Sequence, residues 1–157
     1  MLWTERMLVF EGLPGLRRDV TADGLAAAVD EHLEQTKEHV ARVEQAFRAA
    51  GAEPSSNLSP PFEKLAQHRS ELAGKIPDDR LADVLNAAAA SATEHNEIAV
   101  YDALIALADS LGLGDARGLL EQNRREEEEA LDRLRTEVGR LAQATARAIA
   151  GPTGPGR

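Results

Sequence analysis

There is no cysteine in this 157-residue chain. That excludes disulfides, thiolate catalysis and cysteine-ligated zinc. Aromatic residues make up only 3%, too few for the stacking walls of a nucleotide or cofactor pocket. Runs of β-branched residues are missing, and the apolar 43% is mostly Ala and Leu, the composition of an all-helical protein. Positive charge is scarce as well. A formal charge of −9 and a pI near 4.9 argue against phosphate-backbone binding, so no nucleic-acid partner is expected. No apolar run reaches the roughly 18 residues of a membrane span. The opening MLWTERMLVF places Glu5 and Arg6 where a secretory leader would be apolar. The default expectation is therefore a cytoplasmic protein.

The most informative scarcity is local. Between Arg80 and Arg117 there is no lysine or arginine, yet Glu94, Glu97 and Asp102 lie inside one of the most apolar stretches. Glu94, Glu97 and Tyr101 are spaced i, i+3, i+7 and share one helical face. A buried carboxylate with no cation on its own helix must take a proton, a metal or a cation from a neighbour. The alternative is that both acids border the core and reach solvent or a dimer seam. Tyr101 is either a core residue whose hydroxyl bonds Glu97 or an orienter of a ligand.

Proline and glycine divide the chain into long segments. The first helix covers about residues 2–18, with a kink expected at Pro14. The second starts at a Thr21 cap and stops at Gly51. Its core stripe is Leu25, Val29, Leu33, Thr36, Val40, Val43 and Phe47. Ser59 caps a short helix that closes at residues 74–77. The third long helix begins at Asp78 or Asp79 and ends at Gly112, and the fourth runs from near Asp115 to Ala150. Each of the last three long helices has about 30 residues, so each spans about 45 Å. The expected architecture is all-α: a four-helix bundle with an extra short helix in the long crossover between the second and third helices. Residues 1–150 form one domain and residues 151–157 a Gly/Pro tail.

Several motifs carry nothing. No Ser-His-Asp order and no phosphate-cradling glycine loop are present, and LGLGDA joins two helices rather than following a strand. His32 and His39 are seven apart and read as packing residues at the edge of the core stripe. His95 lies on a different face from Glu94, and His68 has no companions. The run RREEEE at 124–129 reads as a solvated face, with Glu127 alone on the turn leading to Leu131 and Leu134.

HLEQTKEHVARVEQAF at 32–47, EHNEIAVYDALIALADSLG at 94–112 and EEEEALDRL at 126–134 together resemble the YciE/YciF family of ferritin-like bacterial proteins. The resemblance implies a ferritin-like bundle, usually a homodimer, with a carboxylate-bridged di-metal centre, iron as its default metal and a loose link to stress responses. On that pattern Glu94 and Glu127 bridge, while Glu97, His32 and Glu34 supply further ligands. Ferroxidase-like oxidation is implied only if the site is intact. The chain departs from the pattern at four places. Arg6 stands where the first helix normally offers Glu, with Glu5 one residue off the face. Position 35 is Gln, position 37 is Lys, and Ala130 leaves the last helix without a Glu-x-x-His pair. These departures favour a degenerate centre in which Arg6 or Lys37 neutralises the buried acids. The rival function is a metal-free scaffold acting through dimerisation or partner binding.

Overall fold

The computed structural model describes residues 1–55, 71–72 and 75–150, and every regular element among them is helical. Most of the short helix expected from Ser59, His68 included, and the tail lie outside the described residues. The elements are α1 (Leu2–Met7), a π-helical turn (Leu8–Gly12), α2 (Leu13–Asp19), α3 (Asp23–Ala49), α4 (Asp79–Ser110) and α5 (Gly114–Ala150). No described helix is long and apolar enough to cross a membrane.

The first helix is interrupted by a π turn just before Pro14. Pro14 has no N–H to donate, and its ring would crowd the carbonyl four residues back; widening the preceding turn relieves both. The extra residue shifts the phase of the helix. Its buried positions are Leu2, Glu5, Leu8, Leu13 and Leu16, and the five-residue step from Leu8 to Leu13 coincides with the π turn.

Thr21 is not the cap of α3. The helix starts after Ala22 and has no side-chain cap of its own. Instead the buried Asp83 of α4 accepts from Thr21 N (3.0 Å), Ala22 N (2.8 Å) and Thr21 Oγ1 (2.8 Å). An anion from another helix thus fills the α3 N-terminus. Asp83→Ala is expected to cost about 3 kcal/mol, read as a lower urea midpoint; an unchanged midpoint would show that the α3 terminus needs no such anion. Asp78 caps α4 by accepting from Arg80 N and Leu81 N. At the far ends of α3 and α4, Gly51 (φ +72°) and Gly112 (φ +69°) take the left-handed turn. Ala52 N then returns to Phe47 O, and Leu113 N to Ala108 O, both at 2.9 Å.

Helix direction follows from the cross-helix pairs. On α3 and α5, Gln35 meets Arg133 while Arg42 meets Asn123, so these helices are antiparallel. On α4 and α5, Asp102 meets Arg124 while Asp109 meets Arg117, antiparallel again. Helices α3 and α4 therefore run the same way, which requires the long crossover between them. Two apolar clusters fill the interior. One contains Leu13, Leu16, Leu25, Val29, Ala90 and Leu134; the other contains Leu2, Val43, Tyr101, Ala108, Ala116 and Leu120. Between them lies a layer of polar side chains.

Candidate metal centre

The polar layer is built from every long helix. Glu5 comes from α1; His32, Thr36 and His39 from α3; Glu94 and Glu97 from α4; Asn123 and Glu127 from α5. All eight are buried. The helical spacing expected of Glu94 and Glu97 places both inward, and the reading in which they reach solvent is overturned: their exposures are 2% and 0%. His32, Glu94, Glu97 and Glu127 bring one donor atom each within 4.8 Å of one another, and so do Glu5, His39 and Glu127. Glu127 belongs to both groups.

The contacts are close but poorly suited to hydrogen bonding. His32 Nε2 is 3.3 Å from Glu94 Oε2 and 3.6 Å from Glu127 Oε2. His39 Nδ1 is 2.8 Å from Glu127 Oε1 and 3.8 Å from Glu5 Oε2. Even so, Glu5 Oε2, Glu94 Oε2, both oxygens of Glu97, both of Glu127 and His39 Nδ1 have no hydrogen bond of acceptable geometry. These atoms lie close together without the alignment that hydrogen bonds need.

The outer edge of His39 is held firmly. His39 Nε2 bonds Glu126 Oε2 at 3.0 Å. Glu126 also bonds Arg42 and accepts from Gln122. Asn123 accepts from Arg42 and donates to Tyr101 Oη at 2.8 Å, and Tyr101 donates to Glu5. With its Nε2 proton on Glu126, a neutral His39 presents the Nδ1 lone pair to Glu5 and Glu127, the arrangement that orients a metal-binding imidazole.

Burial dominates the proton equilibria. It pushes Glu94 up to about 7, against a lowering contact with Glu127. It pushes Glu127 up to about 7 as well, against a lowering contact with His39. Glu97 is driven well above the ordinary carboxylate range by burial and then by the charges of Glu127, Glu5 and Glu94. Burial holds His32 below its usual value. For His39 burial acts in the same direction, but Glu127 and Glu5 outweigh it and raise the imidazole to about 10. Tyr101 is raised by burial and by the Glu5 charge. Without a metal, protons carry the neutralisation.

Four of the five expected ligands, Glu94, Glu97, Glu127 and His32, are brought together. Glu34 is not: two residues from His32 it has turned to the surface, where its largely exposed side chain bonds Lys37 at 2.6 Å. It lines a charged recess of about 580 Å³ between α3 and α5, outside the cluster. Arg6 bonds Glu44 at 2.7 Å and is 39% exposed, so neither Arg6 nor Lys37 closes the site. The positive charges that bear on Glu94 are those of His39 and then Arg133 of α5. Two candidate donors of the layer, Glu5 and His39, were not expected from the sequence as ligands. Counting back seven residues from Leu13 along an unbroken helix turns Arg6 inward; the π turn brings in Glu5 instead. His39 shares its helical face with His32, and that spacing was the available signal. Tyr101 bonds Glu5, not Glu97. His95 is exposed and bonds Ser91 O and Arg135, as its position on another face implied.

The family of domains of unknown function DUF892 matches residues 3–147. Protein YciF of Escherichia coli K12 is 32% identical over 126 residues, covering 76% of this chain and 72% of that protein. The crystal structure of the E. coli stress protein YciF superposes with a TM-score of 0.85 at 26% identity, over 90% of this chain and 89% of the other. The structure of YcfI, a putative structural protein from Rhodopseudomonas palustris, gives 0.82 at 34% identity, over 86% and 85%. The ferritin-like bundle expected from the sequence is the fold these proteins share.

Proposed function

The chain belongs to the DUF892 family and is YciF-like, and from that premise we propose that it is a di-metal protein whose ions sit in the polar layer between the two apolar clusters. One observation carries this reading: Glu5 Oε2, Glu94 Oε2, both oxygens of Glu97 and Glu127, and His39 Nδ1 come together there without a hydrogen bond of acceptable geometry. Leaving such groups unsatisfied is costly. Two divalent ions would balance four ionised glutamates, Glu5, Glu94, Glu97 and Glu127, with His32 and His39 neutral. Four carboxylates and two imidazoles is also the donor set of di-metal carboxylate bundles, although there each histidine follows a glutamate by three residues. Here both histidines come from α3.

In this arrangement Glu127 is shared between the two donor groups. His32, Glu94 and Glu97 complete one, and Glu5 and His39 the other. Hard oxygen and borderline nitrogen donors suit iron or manganese. Iron would supply one-electron redox chemistry at the site, with oxidation of ferrous iron as the default reaction. The protein's own residues orient the donors, exclude bulk water and hold or release the protons of Glu94, Glu97, Glu127 and His39. A metal-free scaffold is less well supported, because its proposed neutralising cations are bonded elsewhere. A homodimer and a cytoplasmic location belong to this same proposal. So does a stress-related role, which rests on the E. coli relative being a stress protein.

The test is metal content per chain by mass spectrometry, on protein prepared without chelator and offered ferrous iron in air. Near two irons per chain is the expected result; none retained would sink the proposal. A finer expectation concerns Glu126. Glu126→Ala should weaken metal binding by about 10–100-fold without unfolding the protein, because it frees the outer edge of His39. Equal affinity in calorimetric titration would show that His39 is not a ligand.

A further inference from the structure

On the α2 side of the polar layer lies a small recess of about 10 Å³, walled by Leu13, Leu16, Ala90, Ala130 and Leu134, with His32 and Glu94 among its lining residues. It is contiguous with the donor cluster, since His32 and Glu94 belong to both. A volume of about 10–15 Å³ on this scale holds one water molecule. Ala130 is the reason that space exists. It stands three residues after Glu127 on α5, where a Glu-x-x-His motif would place an imidazole, and only a methyl group occupies it.

Purely apolar cavities stay dry, whereas a cavity with buried polar atoms on its wall takes a molecule that can bond them. Glu94 is 2% exposed, and its Oε2 has no hydrogen bond. We propose that this recess seats the exchangeable small ligand of the centre: one water-sized molecule, or the terminal atom of a small linear anion that displaces it. This rests on the di-metal reading and adds on which side of the donor cluster a small ligand would be held and what size of molecule the recess takes. The aliphatic walls admit nothing larger without displacement, so the centre excludes bulky organic substrates from this side.

Two measurements test the proposal. In high-resolution crystals of the metal-free protein, one ordered water within hydrogen-bond distance of Glu94 Oε2 is expected; an empty recess would overturn it. In ferric-loaded protein, azide is titrated optically. Ala130→Val adds two carbons to the recess and should keep the metal content while raising the azide Kd at least tenfold. A Kd within twofold of the parent's would show that small ligands enter elsewhere. Leu134→Ala, which enlarges the recess, guards against a misfolded valine variant: its metal-free crystals should show a second water and its azide affinity should not fall. A weaker affinity would count against the proposal. A parent that retains no metal defeats the di-metal reading instead, while the metal-free crystals still judge the recess.

Discussion

Loading with a divalent metal is expected to raise the melting temperature by roughly 10–20 °C, and the rise should be larger at pH 8 than at pH 6. The magnitude follows from mass action: a ligand at a hundredfold excess over its Kd adds about 2.7 kcal/mol per site, or about 5 kcal/mol for two. A domain of this size shifts by about 2–4 °C per kcal/mol. The pH dependence follows from proton linkage. Glu94 and Glu127 are raised from 4.5 to about 7 in the folded protein. Between those values the metal-free fold binds more protons than the unfolded chain, so its stability falls as pH rises. His39, raised from 6.5 to about 10, extends the decline to higher pH. Metal needs these groups deprotonated, so its affinity grows over the same range and restores what the metal-free protein loses. Calorimetric scans with and without chelator at the two pH values check this. A metal-induced shift independent of pH would mean that the ions bind outside the buried layer.

The second large effect separates two glutamates that look alike in sequence. Glu127→Gln should abolish binding at both positions, because Glu127 is the one residue common to both donor groups. Glu97→Gln should remove or weaken only the position that it shares with His32 and Glu94. Metal content should then fall from near two per chain to near zero in the first variant and to about one in the second. The metal-free proteins should diverge in the opposite sense to a simple count of lost contacts. Glu97 is held in its protonated form by burial and neighbouring charge, and a glutamine imitates that form, so Glu97→Gln should be neutral or stabilising. Glu127 lies 2.8 Å from the His39 imidazole. Removing its charge leaves His39 with less compensation and should cost about 3 kcal/mol. Metal analysis of the purified variants together with urea denaturation reads both effects. Equal metal loss in the two variants would refute the shared role of Glu127.

Much of this protein is legible without coordinates. The stretch of α4 after Arg80, free of lysine and arginine, carries Glu94 and Glu97 at i and i+3 among Ala and Leu, and that pattern singles out the two acids the structure buries. Gly51, Asp78 and Gly112 mark helix ends by rules that act over a few residues, and each does what those rules require. The long segments and the long second link dictate a bundle with parallel α3 and α4. Those features depend on periodicity and local backbone preference, which are properties of the chain itself.

What the tertiary structure decided is phase and partnership. A one-residue π turn chose Glu5 over Arg6, and the apolar pattern did not reveal the shift, since Val9 and Phe10 fit the unbroken register as well as Leu8 fits the shifted one. Thr21 has the chemistry of a cap, but Asp83, sixty-two residues away, delivers a full charge to the same end of α3. Lys37 and Glu34 found each other on the surface because a short i, i+3 contact costs less than burying either. His39 joined the site because α5 brought Glu126 and Glu127 to both sides of its ring. The sequence by itself determined that Glu94 and Glu97 share one face of an apolar helix with no cation beside them. Only packing four helices around them determined which side chains share that space, because the energy of a buried charge depends on its neighbours and those come from distant parts of the chain.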